Sequence, residues 1–218
     1  MTWVDVEYMR QMFNLDSSDI TDDDVEFFLE QSQKEILMKI NEEVQREPVE
    51  FLDNTRKNEI NGVNKEFYIS NWNGNYISDN NYDLLINTKD VEVFAVDSDS
   101  SETKLEVSSI DSKLGKYTLE NAPTNVSLFT TYAFTFLNVT EADHDPRLEM
   151  VLGLLTASYC YLKIGEGQQT EVKFGNVKIK ENHKDSSSYY YTKYLDLIGS
   201  LMTSSDGGAL YGFNVNQI

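Results

Sequence analysis

Residues 110–134 read IDSKLGKYTLENAPTNVSLFTTYAF, two runs of alternating apolar and polar residues around Asn121-Ala122-Pro123-Thr124-Asn125. Strand side chains switch faces at every residue, so Tyr117 and Leu119 fall on one side of the first run. By the same rule Val126 and Leu128, then Tyr132, Phe134 and Phe136, share one side of the second. Gly115 precedes the first run and Pro123 sits in the connection, both ordinary punctuation between strands. The stretch predicts a β-hairpin in an antiparallel sheet. Nothing reactive lies between its strands, so it reads as a packed or presented surface.

Outward from this hairpin, residues 48–140 are rich in Asn, Ser, Thr and Asp and carry further short strand-like runs. KEFYIS (65–70), DVEVFAVD (90–97) and KLEVSSI (104–110) join KYTLE and VSLFTTYAFTF as expected strands. Several short strands separated by turn signals predict a small antiparallel β-sandwich or barrel.

The flanks have helical periodicity. Trp3, Val6, Met9, Met12 and Phe13 recur at helical spacing within residues 2–15. After a turn, Thr21 with Asp24 three residues on forms an acidic variant of the capping box, and the first-turn acids face the positive end of the helix dipole. Val25, Phe28, Leu29, Ile36, Ile40 and Val44 then make one stripe, which predicts a long amphipathic helix ended by Pro48. Asp145-Pro146 opens another helix, RLEMVLGLLTASYCYLKI, apolar nearly all round and therefore buried, and stopped by Gly165 and Gly167. TEVKFGNVKIKE predicts two strands about a Gly175-Asn176 turn. A Ser-capped final helix carries Tyr190, Tyr194, Leu197, Ile198 and Leu201 on one stripe, and SSSYYYTKY within it reads either as that stripe's start or as an exposed aromatic surface. The expected fold is thus α+β: a small helical bundle with a short hairpin (1–47 and 141–203), interrupted by an inserted β domain (48–140), with a flexible tail (204–218).

Lys and Arg number 18 against 37 Asp and Glu, a formal charge of −19. Such a surface repels phosphate backbones and anionic lipid, so neither specific nucleic-acid binding nor membrane association is expected. The charge is either a solubility device or a match for a basic partner. A single cysteine, Cys160, excludes an internal disulfide framework and a cysteine-type metal centre. The acidic start, MTWVDVEYM, does not resemble a secretory signal, and no uninterrupted apolar run reaches membrane-spanning length. Synthesis in a cytoplasm is the expectation.

Chemistry-bearing motifs are absent: there is no G-x-S-x-G, phosphate loop, dinucleotide fingerprint or H-E-x-x-H. His144 and His183 sit among acidic and polar residues with no nucleophile in a recognisable pattern, so no enzyme is expected. One segment, DNNYDLLINTKD (79–90), has the spacing of a calcium loop, with Asp79, Asn81 and Asp83 at positions one, three and five and Asp90 at twelve. Leu84 stands where such loops need glycine, and Asp90 replaces a longer glutamate, so the segment reads either as a degenerate Ca²⁺ site or as an Asn/Asp-rich connection. In the tail, Leu210, Tyr211, Phe213 and Ile218 accompany Gly207-Gly208, an apolar set suited to ordering on a partner.

The order of these parts resembles the head–tail connector (adaptor, or neck) proteins of tailed phages and archaeal tailed viruses. The resemblance lies in DSSDITDDDVEFFLEQSQKEI, in DPRLEMVLGLLTASYCYLKIGEG, and above all in VKFGNVKIKENHKDSSSYYYTKYLDLI. The 48–140 insertion resembles a β module found in virion proteins. The resemblance implies a virion structural protein at the head–tail interface, in a ring of twelve copies against the portal protein and next to tail and neck proteins. It implies no active-site residues. Other readings of the same parts are a different neck or tail-completion protein, or a non-viral surface or carbohydrate-binding β module on a helical stalk.

Overall fold

A computed structural model describes residues 2–50, 52–53, 55–71, 74–140, 143–167, 171–174, 177–180 and 183–203. In chain order the elements are α1 (Val6–Phe13), α2 (Asp22–Ile40), β1 (Glu42–Pro48), β2 (Glu66–Tyr68), β3 (Tyr76–Ser78), a 3-10 turn (Thr88–Asp90) and β4 (Val91–Val96). Then come β5 (Glu102–Leu105), β6 (Val107–Asp111), β7 (Lys116–Leu119), β8 (Ser127–Thr135), α3 (Arg147–Gly167), β9 (Glu171–Phe174), β10 (Val177–Lys180) and α4 (His183–Thr203). The fold is α+β, and all its strand pairings are antiparallel. The chain divides into two compact units, Lys34–Asp145 and Thr2–Gln33 with Pro146–Ile218.

In the first unit, β8 is the central strand of a five-stranded sheet. β1 pairs along one edge, while β4 and then β3 share the other, and β5 lies beyond β4. A second sheet has the order β2-β7-β6. Phe67, Ile69, Tyr117 and Leu119 join Val91, Val93, Leu128 and Tyr132 in one buried cluster, so both sheets supply the same core.

The expected hairpin of residues 110–134 does not form: β7 and β8 belong to different sheets. The alternation of β7 is as read and that of β8 holds up to Tyr132, after which Ala133, Phe134 and Thr135 are all buried; Tyr117, Leu119, Leu128, Tyr132 and Phe134 are buried as expected. Alternation reports which face is covered, however, and not which strand lies alongside. The two strands meet through their side chains, with a buried hydrogen bond of 2.8 Å between the Tyr117 and Thr130 hydroxyls. The hairpin in this region is β6–β7, closed by a turn in which Gly115 has φ of 59° and its N–H donates to Ser112 O at 3.2 Å. The run 104–110 is likewise not one strand. It breaks at Glu106, so that β5 pairs with β4 in one sheet and β6 with β7 in the other.

A third correction concerns α2, which stops at Ile40 instead of continuing through Val44. Residues 42–48 form β1 against β8, so the expected domain boundary at 47/48 falls inside a strand. Val44 pairs opposite Tyr132 and packs on the buried cluster, a role open to a lone apolar residue among charges in a strand as well as in a helix. The Asn41 amide fixes the exit from α2: Nδ2 donates to Asp79 O at 2.9 Å, and Oδ1 accepts from Ser78 Oγ at 2.7 Å. The register shifts between Val44 and Glu47, where Arg46 has φ of 54°. Its guanidinium lies 5.4 and 5.5 Å from the Phe94 and Phe129 ring centres and forks onto Glu102.

The helical unit follows most of its sequence signals, although α3 runs through Gly165 to Gly167 and the serines expected to cap α4, Ser186–Ser188, lie inside it. Asp5 caps α1 by accepting from Tyr8 N at 2.7 Å, Asn14 ends it at φ of 51°, and Thr21 Oγ accepts from Asp24 N at 3.2 Å at the start of α2. The Arg10 guanidinium ties the α1–α2 connection by donating to Leu15 O and Ile20 O. Arg147–Gly165 within α3 is long and apolar enough to cross a bilayer by length and composition, but Leu148, Val151, Leu152, Leu155 and Cys160 are buried in the core. Gly153 faces Phe13: a Cβ there would come within 2.5 Å of the ring, so α1 rests on α3 only because this residue is glycine. Tyr194, Ile198 and Leu201 form the buried stripe of α4. β9 and β10 pair as expected, with Val177 opposite Phe174; the Gly175-Asn176 turn lies outside the described residues.

Candidate functional site

The loop from Asp79 to Asp90 brings together the four residues with calcium-loop spacing. Asp79 and Asp90 are 2% and 0% exposed. Asp79 Oδ2 accepts from Leu84 N at 2.7 Å, and Oδ1 from Asn81 N at 3.2 Å and Asp83 N at 3.3 Å. Asp90 Oδ1 accepts from Asn80 N at 2.9 Å and Asn81 N at 3.4 Å, and Oδ2 from Asn87 N at 2.7 Å. The Asn81 and Asp83 side chains cap further N–H groups, those of Asp83 and Leu85. Each carboxylate thus directs its lone pairs at the loop's own backbone, as Asx turns do. The sharp bend expected at position six is present, with Leu84 at φ of 68° and its side chain 8% exposed. Burial pushes the Asp90 carboxyl up to about 6, and burial with the nearby Asp83 charge pushes Asp79 upward. Among the described residues, no group of three or more His, Cys, Asp and Glu side chains is placed to hold a metal ion.

A second feature lies on the helical unit. α3 and α4 leave a shallow groove of about 450 Å³, lined by Leu154 of α3 and by Tyr189, Tyr190, Lys193 and Leu197 of α4, together with Asp196 and Ser200. Tyr190 stacks on Tyr161 with ring centres 5.4 Å apart and meets Phe13 edge-on at 5.6 Å, which fixes the groove's aromatic wall. Tyr189 is 58% exposed, with the Lys193 ammonium 5.8 Å from its ring centre. The SSSYYYTKY segment therefore serves both of its expected roles. Tyr194 enters the core, Tyr190 is half-buried, and Tyr189 and Tyr191 face outward. The groove as such was not among the sequence candidates, although three consecutive tyrosines sweep about 200° of a helix and cannot all enter one core stripe.

The other candidates are placed as follows. His183 is half-buried and stacks on Tyr161 at 6.1 Å, and His144 is half-buried in the other unit. Cys160 is buried, and burial pushes its thiol up to about 12, which removes the thiolate a nucleophile needs. Leu210, Tyr211, Phe213 and Ile218 lie outside the described residues. No family model, curated protein or solved structure matches this chain.

Proposed function

We propose that this protein is a head–tail connector of a tailed virus, a virion part that works by binding and not by catalysis. The observation that carries the reading is the order of elements around the insertion. A helical unit of α1, α2 through Gln33, α3, the β9–β10 hairpin and α4 is interrupted by a β unit that begins within α2 and ends before α3. In this reading the helical unit is a bundle that contacts the portal protein and neighbouring copies in a ring of twelve, and the two sheets of the β unit form an inserted sandwich. The tail with Leu210, Tyr211, Phe213 and Ile218 reaches a neighbour or the portal, and tail or neck proteins dock on the far side. A buried, protonated Cys160 is compatible with such a role.

The test is cryo-electron microscopy of the full chain mixed with the portal ring encoded in the same genome. The expected result is twelve-fold density added beneath the portal. No binding to the portal, together with selective binding on a glycan array, would overturn the reading in favour of a surface-recognition module.

A further inference from the structure

We infer that a second copy of this chain docks on the α3–α4 groove, by inserting Phe27 of its own α2. Phe27 is 56% exposed, an uncommon position for a large aromatic side chain. Around it on the outer face of α2 stand Asp23, Glu26 and Glu30, all exposed and none of them in an ion pair. The groove offers the complement. Leu154, Tyr190 and Leu197 supply an apolar floor, and Lys193 is a cation whose contact is the face of Tyr189, with no carboxylate partner. An aromatic knob ringed by acids thus fits a groove that carries a cation and aromatic walls.

Knob and groove occur on the same unit but on different helices, so two copies can engage them reciprocally about a two-fold axis or head-to-tail, and only the head-to-tail arrangement closes into rings or runs on as filaments. Only the closure into a ring rests on the connector reading; the contact itself follows from the two surfaces. Asp196 also lines the groove, three residues from Lys193, and opposes the incoming acids. It therefore sets a sign test that a merely sticky apolar patch would not pass.

The experiment is sedimentation equilibrium of the full chain up to about 1 mM, in 0.3 M salt, where repulsion between the two acidic chains is screened beyond about 6 Å. Wild type should self-associate. Phe27→Ala and Lys193→Glu should each weaken association at least tenfold, Asp196→Asn should strengthen it, and Glu30→Lys combined with Lys193→Glu should recover it. All these residues are at the surface, and circular dichroism of each variant checks that the fold is retained. Wild type that stays monomeric throughout, or association unchanged by Phe27→Ala and Lys193→Glu, overturns the proposal. Either outcome leaves the connector reading to the portal experiment. Conversely, self-association without portal binding would keep this contact and remove the connector.

Discussion

Replacing Gly153 by alanine should destabilise the helical unit, although alanine is by far the better helix former. In an exposed helix the exchange gains about 1 kcal/mol. At Gly153 the added Cβ would stand 2.5 Å from Phe13 Cε2 and 2.7 Å from Cζ, more than an ångström inside ordinary contact. Phe13 is 4% exposed and held edge-on against Tyr190, so its ring cannot swing aside without disturbing a second aromatic contact. Overpacking of this kind costs about 1–3 kcal/mol, and a rigid aromatic obstacle places this site near the top of that range. The net expectation is a loss of about 2 kcal/mol, a fall in melting temperature of about 4–8 °C.

Gly199 in α4 supplies the control, since nothing lies within 4 Å of a Cβ built there. Gly199→Ala should raise the melting temperature by roughly 2–4 °C. Thermal unfolding followed at 222 nm reads both variants. Adding Phe13→Leu to Gly153→Ala removes the two clashing ring atoms and should show a favourable coupling of about 1 kcal/mol or more. If Gly153→Ala raises the melting temperature as Gly199→Ala does, the packing of α1 on α3 described above is wrong.

The β unit supports four further expectations. A double-mutant cycle of Tyr117→Phe and Thr130→Val should give a coupling of about 1 kcal/mol, read by denaturant unfolding, and zero coupling would mean that β7 and β8 do not face each other. Asp90→Ala leaves the N–H groups of Asn80 and Asn87 without their acceptor, while that of Asn81 keeps Asp79, and should cost about 2–4 kcal/mol. Millimolar Ca²⁺ is expected to leave the wild-type melting temperature unchanged; a rise that Asp79→Ala with Asp83→Ala abolishes would instead assign the loop to calcium. Because burial raises Asp90 to about 6, its folded form holds a proton that the unfolded chain has already released. Its contribution is therefore intact below about pH 4 and is lost as pH rises to about 6, so the wild type should lose stability relative to Asp90→Asn across that window. A flat difference would place the Asp90 carboxyl in the ordinary range.

The helices are legible because their signals are local. Thr21 with Asp24, the stripe through Val25 and Leu29, and Tyr194 with Ile198 and Leu201 lie within one or two turns of each other. Strand pairing is not local. Residues 116–119 and 127–135 carry the right faces but go to different sheets, and the single residue Glu106 moves the chain from one sheet to the other. In residues 42–48 a lone Val44 among charges satisfies either period, and only the availability of a β8 edge decides. The 79–90 loop is legible as a convergence of oxygens. What they converge on is decided by backbone N–H groups, which leave no trace in residue type. The groove needed α3 to be placed against α4, since Leu154 is remote in sequence from Tyr189 and Lys193.

The boundary inside α2 separates two excisions that the sequence does not distinguish. Removing residues 48–140 and joining the ends with a Gly/Ser linker would delete β8, the only partner of β1 among the described strands. The strand residues Glu42–Glu47 would remain unpaired, and Val44 would lose the cluster it packs on. Ile36, Leu37 and Ile40 at the end of α2 are buried and belong to the β unit, and exposing them costs about 1.5–3 kcal/mol each. That product should aggregate or melt without cooperativity. Removing residues 34–145 instead deletes those side chains together with their surroundings. It keeps Trp3, Met9, Phe13, Val25 and Leu29 with Leu152, Leu155, Tyr194 and Ile198, a set of buried residues drawn from one unit. This shorter chain should be helical by circular dichroism and melt cooperatively. If the 48–140 excision proves the better folded of the two, the end of α2 and β1 belong with the helices, and the division of the chain at Gln33/Lys34 fails.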